Sequence, residues 1–247
     1  MKRPPLATGE ERVRLVRDIF SSIPRWYDFL NRLLSLRRDV AWRARAVREM
    51  RFPRGGAFLD VATGTADLAI AAALAYPGIA VTGVDFVPGM LAVGSTKVSA
   101  RGLDSRVSLA EGDAMALAFP DGSFEVAAIA FGIRNIPDRE AALREMARVV
   151  SPGGQVMVLE LTTPRNRLAR AAYGIYLNGI LPLVGRVLSR NPRAYRYLAD
   201  SIMNFPSPPE FTALMERAGL GRVRAIPLTF GIAYLHIGEV PGPGGPS

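Results

Sequence analysis

Cysteine is absent from the 247 residues, which excludes disulfides, thiolate metal sites and cysteine nucleophiles. A reducing interior is compatible with that absence. Histidine is almost absent too. His236 is the only one, too little for a histidine-rich metal cluster, and no metal is expected. Residues 1–17 contain no apolar core of the roughly 7–15 residues that a secretory signal requires. The longest apolar stretch, Ala171 to Gly185, is interrupted by Asn178 and Pro182 and falls short of the roughly 20 residues of a spanning helix. The expectation is a soluble or peripheral protein, cytoplasmic, that meets a membrane from its inner face.

Lysine is scarce as well, so arginine dominates the charge. Lys2 and Lys97 stand against 29 arginines, and the net charge is +9. Such a balance suits an anionic surface, either nucleic acid or bilayer head groups; the alternative is an arginine bias spread over a solvated face. Arg165, Arg167 and Arg170, then Arg186, Arg190, Arg193 and Arg196, flank apolar stretches. No nucleic-acid-binding signature is present, which tilts the expectation towards transient contact with an anionic membrane and away from nucleic acid.

The length fits one large domain, or one with an appendage. Residues 1–9 read as a flexible leader. Residues 10–54 follow a helical period (Val13, Val16, Ile19, Phe20; Phe29, Leu30, Leu33, Leu34) broken at Pro24, hence a helical cap. From 55 to 240, apolar strands (57–62, 79–85, 106–111, 124–131, 155–161) alternate with helices (66–76, 88–100, 138–150). Near-continuous apolar strands belong to a parallel sheet covered on both faces, and this alternation gives a doubly wound α/β sheet. A helical insertion at 164–205 precedes a helix near Pro209 to Arg217 and two last strands, 221–228 and 232–239, paired as an antiparallel hairpin. The Pro/Gly-rich tail, 241–247, reads as disordered.

Glycine is sparse where it matters most. Residues 58–67 run Phe-Leu-Asp-Val-Ala-Thr-Gly-Thr-Ala-Asp, a strand breaking into small residues before a helix, and Asp85 closes the next strand twenty-one residues beyond Gly64. An acid at that place takes two ribose hydroxyls, but a pyrophosphate turn reads G-x-G-x-x-G. Only Gly64 is present, with Thr63, Thr65 and Ala66 around it. The turn therefore points away from NAD and towards S-adenosylmethionine, which has a ribose and no phosphate. Asp113, with Ala114 beside it, suits an adenine amino group at the third strand end. Asp60 lies inside the first strand, where a carboxylate must be hydrogen-bonded or paired. It either orders the Gly64 turn or attracts the cationic end of the cofactor.

Tyr27-Asp28-Phe29-Leu30-Asn31, Gly64-Thr65-Ala66-Asp67, Gly112-Asp113-Ala114, Phe119-Pro120-Asp121, Phe131-Gly132-Ile133-Arg134-Asn135, the run Ala142 to Gly154, and Tyr197-Leu198 with Ser201-Ile202 and Phe205-Pro206 form one pattern. Through it the chain, from about Val16 to Val240, resembles the ubiquinone/menaquinone biosynthesis C-methyltransferases, class I enzymes that depend on S-adenosylmethionine. Thr63 stands where the family more commonly has Gly or Cys, and Asp39 where a His often precedes Trp42. The resemblance implies a seven-stranded Rossmann-like sheet, with Thr65, Asp85, Asp113 and Ala114 on S-adenosylmethionine and S-adenosylhomocysteine as product. Asp60, Gly64 and Asp67 complete the candidate cofactor set. The implied substrate is a demethylated polyprenyl quinol, demethylmenaquinol first and a 2-polyprenyl-benzoquinol as the close variant.

Carbon methylation needs a ring hydroxyl to lose its proton. No histidine is near to take it. Arg134 either stabilises the developing phenolate as a fixed cation or forms a structural salt bridge. Asn135 would orient a water or the hydroxyl, and Tyr27 and Asp28 are further candidates for proton relay. The insertion, with Tyr173, Ile175, Tyr176 and Leu177 among its apolar residues, is read as a substrate lid; the alternatives are an ordinary core helix or a homodimer seam. Other readings are a methyltransferase for a sterol or polyketide phenol, a NAD-dependent oxidoreductase, which the single turn glycine argues against, and a nucleic-acid-binding module. No Asn-Pro-Pro-Tyr-type base-flipping motif is present.

Overall fold

The computed structural model of the chain describes residues 9–22, 32, 35–164, 167–176, 179 and 192–242. Its helices are α1 (Gly9–Ser22), α2 (Arg38–Glu49), α3 (Asp67–Ala75), α4 (Pro88–Ser99), α5 (Arg139–Val149), α6 (Arg167–Ile175), α7 (Pro192–Met203) and α8 (Pro208–Arg217). Its strands are β1 (Ala57–Val61), β2 (Ala80–Asp85), β3 (Val107–Glu111), β4 (Phe124–Ala130), β5 (Val150–Leu161), β6 (Gly221–Leu228) and β7 (Ala233–Glu239).

The strands form one sheet in the order β3-β2-β1-β4-β5-β7-β6. Strands β1 to β5 run parallel, and β7 is antiparallel to both β5 and β6. Period-two alternation distributes the central strands between two apolar layers. Phe58, Val81, Val126 and Met157 pack with Trp42, Val47, Leu68 and Ala69 on one face. Leu59, Val61, Ile129 and Val158 pack with Leu143, Met146, Phe211 and Met215 on the other. The order reverses between β1 and β4, so the crevice beyond their carboxyl ends is where a ligand of such a sheet binds.

The predicted strands and helices are present, and the departures have local causes. Strand β5 begins at Val150, five residues before the predicted start, although Pro152-Gly153-Gly154 reads as a turn. A Cβ on Gly154 would lie 2.5 Å from the Glu125 carbonyl oxygen, so glycine lets the strand pass close to its neighbour. Strands β1 and β4 stop one residue early because Ala62 and Phe131 adopt left-handed backbone, φ 51° and 58°. The hairpin connection is a short 3-10 turn, Thr229–Gly231. The break at Pro24, the leader and most of the tail fall outside the described residues, as do 177–178 and 180–191 of the insertion, including Leu177. No helix among the described residues is long and apolar enough to cross a membrane.

His236, in β7, is fully buried, its ring centre 4.9 Å from that of Phe211 and 5.9 Å from that of Tyr234. Neither ring nitrogen makes a well-formed hydrogen bond. Burial pushes the imidazole down to about 4, and the Pro208 backbone offsets this only in part. The folded chain thus keeps His236 neutral while the unfolded chain protonates it near 6.5. Its contribution is full above that value and is lost as pH falls towards 4, because the unfolded state then binds more protons. His236→Phe keeps a ring and removes the titration. Between about pH 7 and pH 4 the variant should lose about 3 kcal/mol less stability than the parent, measured by urea unfolding at both values. The other titrating groups cancel in that comparison, so equal losses would contradict it.

Candidate active site

The turn after β1 is organised from beneath. Asp60, 1% exposed, accepts from Thr63 Oγ1 at 2.6 Å and from the Ala69 amide at 3.0 Å. It joins the turn to the first residues of α3, and Ala62, Gly64 and Ala66 each take left-handed backbone between them. Burial raises its carboxyl to about 7 against the pull of these hydrogen bonds and of Arg43. Stability from that group is therefore present at low pH and lost as pH rises through 7.

Asp85 closes the turn from β2. Its Oδ2 accepts from the Gly64 amide at 2.8 Å and its Oδ1 from the Val87 amide at 2.9 Å. Burial raises its pKa, opposed by the backbone donors Val87, Gly64 and Phe86. A carboxylate offers about four acceptor directions, so both oxygens retain capacity for a ligand. The next strand end is tied on by the Gly112 amide donating to the Asp85 carbonyl at 3.1 Å. Asp113 Oδ1 accepts from the Met115 amide at 2.8 Å, which fixes the loop presenting Ala114. Beyond β4, a Cβ on Gly132 would stand 2.8 Å from Ala62 Cβ, so the two strand-end turns abut.

These segments surround a cavity of about 910 Å³, its open mouth included, with Val13 and Val16 of α1 along one side. Gly64, Asp85, Asp113, Ala114 and Asn135 all line it, with Phe86, Met90, Phe131 and Gly132 among their neighbours.

Other candidates face elsewhere. Asp60 lies under the turn, as above. Thr65 accepts from Lys97 Nζ at 3.0 Å, and Asp67 pairs with Lys97, with Arg43 and Arg32 each at 3.8 Å. Burial opposes its charge, but Arg43 and Lys97 together hold the Asp67 carboxyl below its ordinary value. Neither residue lines the cavity. Asp39, where the family often has histidine, is buried against Arg43 at 2.7 Å and Ser35 Oγ at 2.6 Å.

Arg134 requires a correction to the fixed-cation expectation. It is 5% exposed and does not line the cavity. Its Nη1 donates to Glu160 Oε1 at 2.7 Å and to the Phe131 carbonyl at 2.5 Å. The salt bridge, the other of its two readings, is what the structure holds. Tyr27 and Asp28 lie outside the described residues.

Four residues near the site were not singled out from sequence as site residues. Glu160, fully buried near the end of β5, also accepts from the Leu161 amide at 2.8 Å; an acid inside an apolar strand was its signal, as for Asp60. Arg12 of α1 donates to the Arg134 carbonyl, where Arg139 also reaches at 3.3 Å. Tyr197 of α7 donates to Asn135 Oδ1 at 3.1 Å. The short 3-10 turn Ile133–Asn135 is thus gripped from three helices.

A seven-stranded sheet in this order, with a cavity beyond the ends of β1, β2 and β4, has the fold of a class I methyltransferase. Solved structures of that fold include an S-adenosylmethionine-dependent methyltransferase from Aquifex aeolicus, 16% identical, with a TM-score of 0.58 over 80% of this chain and 89% of that one. Mitomycin 7-O-methyltransferase is 20% identical, with a TM-score of 0.65 over 90% of this chain and 60% of that one. The chain belongs to the ubiE/COQ5 methyltransferase family, whose pattern matches residues 7–240. It is 45% identical over 230 residues to the ubiquinone/menaquinone biosynthesis C-methyltransferase of Geobacter sulfurreducens, covering 93% of this chain and 90% of that one. It is 46% identical over 223 residues to the demethylmenaquinone methyltransferase of Thermus thermophilus, covering 90% of this chain and all of that one.

Proposed function

We propose that this protein uses S-adenosylmethionine to methylate a ring carbon of a demethylated polyprenyl quinol, demethylmenaquinol in the first instance. The observation that carries the reading is Asp85, held by two backbone amides at the rim of a cavity in a chain of this family. The cofactor, when bound, supplies an electrophilic methyl group on a sulfonium. Asp85 accepts from the ribose hydroxyls. The Gly64 amide acts through Asp85, since it already donates to that carboxylate. Asp113 and Ala114 form the edge for adenine.

On the acceptor side, Tyr197 occupies the oxygen of the Asn135 side chain and so turns its amide nitrogen to donate to a quinol oxygen. Arg134 and Glu160 hold the turn that carries Asn135. Holding the ring carbon in line with the methyl supplies much of the rate, on the order of several kcal/mol. The apolar lining keeps water from the reacting centre. A 2-polyprenyl-benzoquinol is the second substrate reading, favoured by relatives named for both quinones.

Mass spectrometry of membrane quinones from cells lacking the protein tests the assignment. A demethylated quinone should accumulate, and its ring system names the substrate. An unchanged quinone pool would refute the reading.

A further inference from the structure

We propose that the sheet edge carrying the cavity docks on an anionic lipid bilayer through Leu36, Val40, Ile175 and Phe230, with Arg37 and Arg38 against the head groups. Six large apolar side chains are exposed among the described residues, and these four share one edge. Helix α2 runs down the sheet from that edge: its far end, Glu49, meets Arg224 of β6 at 2.8 Å and the Gln155 side chain at 3.2 Å. Its first turns, with Leu36 just before them, lie at the carboxyl ends of the parallel strands. Trp42 Nε1 donates to Thr229 Oγ1 at 2.9 Å, tying α2 to the turn that carries Phe230. That turn sits at the same edge, because Ala233 pairs with Leu161 at the end of β5. Ile175 belongs to α6, whose Tyr173 and Tyr176 share a cluster with Leu161.

Exposure and backbone agree that these side chains serve something outside the fold. Phe230 is 89% exposed and Leu36 81%, and both stand on left-handed backbone, φ 56° and 51°. Asparagine or glycine adopts that conformation more readily than leucine or phenylalanine. Neither packing nor backbone preference accounts for large apolar groups there, whereas insertion into a bilayer interface does.

The charge pattern selects the partner. Arg37 and Arg38 are exposed and make no ion pair among the described residues. Unmatched cations beside apolar tips complement anionic lipid. The choice of a bilayer over a protein partner rests in part on the quinol reading, since a polyprenyl tail keeps its quinol in lipid.

The test is flotation of the full chain with vesicles of phosphatidylglycerol and phosphatidylcholine, compared with phosphatidylcholine alone. The parent should bind the anionic vesicles and bind the neutral ones more weakly. Leu36→Asn with Phe230→Asn, which suits left-handed backbone, should weaken binding at least about tenfold without lowering the thermal midpoint. Arg37→Gln with Arg38→Gln should abolish the preference for anionic lipid. Methylation of a tail-less, water-soluble quinol should stay unchanged in both variants. Parent-like flotation of the double asparagine variant, or no flotation of the parent, would overturn the proposal. So would a stable dimer, seen by sedimentation velocity, that the asparagine pair dissociates. Failure to methylate any quinol alongside intact vesicle binding would instead count against the substrate reading alone.

Discussion

Asp85→Ala is expected to weaken binding of S-adenosylhomocysteine at least about 100-fold, read by calorimetry. Two ribose hydroxyls donating to one carboxylate are charge-assisted bonds, each worth about 1.5–3 kcal/mol, and a loss of about 3 kcal/mol is roughly two decades in Kd. The alanine also strips the Gly64 and Val87 amides of their acceptor, so the turn loses its closure from β2. Asp85→Asn separates the two effects, because it keeps an oxygen for one amide and removes the charge. Its loss should be intermediate, about tenfold. Unchanged affinity in a folded Asp85→Ala protein would remove Asp85 from the cofactor site.

Glu160→Ala should be the most destabilising change near the site. The Arg134 guanidinium would be left buried without its carboxylate, and breaking such a pair costs about 3–5 kcal/mol. For a chain of this length that is a fall in Tm on the order of 10 °C. Two backbone amides, Arg134 and Leu161, lose an acceptor in the same step. Removing both charges, as Glu160→Leu with Arg134→Met, should recover most of the stability, since the lone charge is the chief cost. Activity should not recover with it. The turn carrying Asn135 is positioned by that pair, so kcat should stay low while affinity for S-adenosylhomocysteine, held at Asp85, is nearly retained. Full recovery of both would show the pair to be structural only.

How much was legible follows from the range of each interaction. The strands, their alternation with helices, and Asp85 were readable because periodicity and spacing are local signals. So was the small-residue turn, although Ala62 and Ala66 hide its left-handed backbone behind residues that do not advertise it. Which of the two readings of Arg134 holds was not legible, because its partner is a fully buried acid in β5, 26 residues away. Arg12 reaches the Arg134 carbonyl across 122 residues, and Tyr197 reaches Asn135 across 62. Neither contact leaves a pattern along the chain. Thr65 and Asp67 sit in a motif beside the site, yet Lys97 of α4 draws both away from the cavity, a pairing that only packing reveals.

The central claim is methyl transfer to a quinol carbon. Purified protein, S-adenosylmethionine labelled in its methyl group and demethylmenaquinol in detergent give the direct measurement, with the product resolved by mass spectrometry and carbon NMR. The expected result is one label per quinol, bonded to a ring carbon, with an equal amount of S-adenosylhomocysteine. Label on the quinol oxygen, or no transfer from a protein that binds S-adenosylhomocysteine, would contradict it.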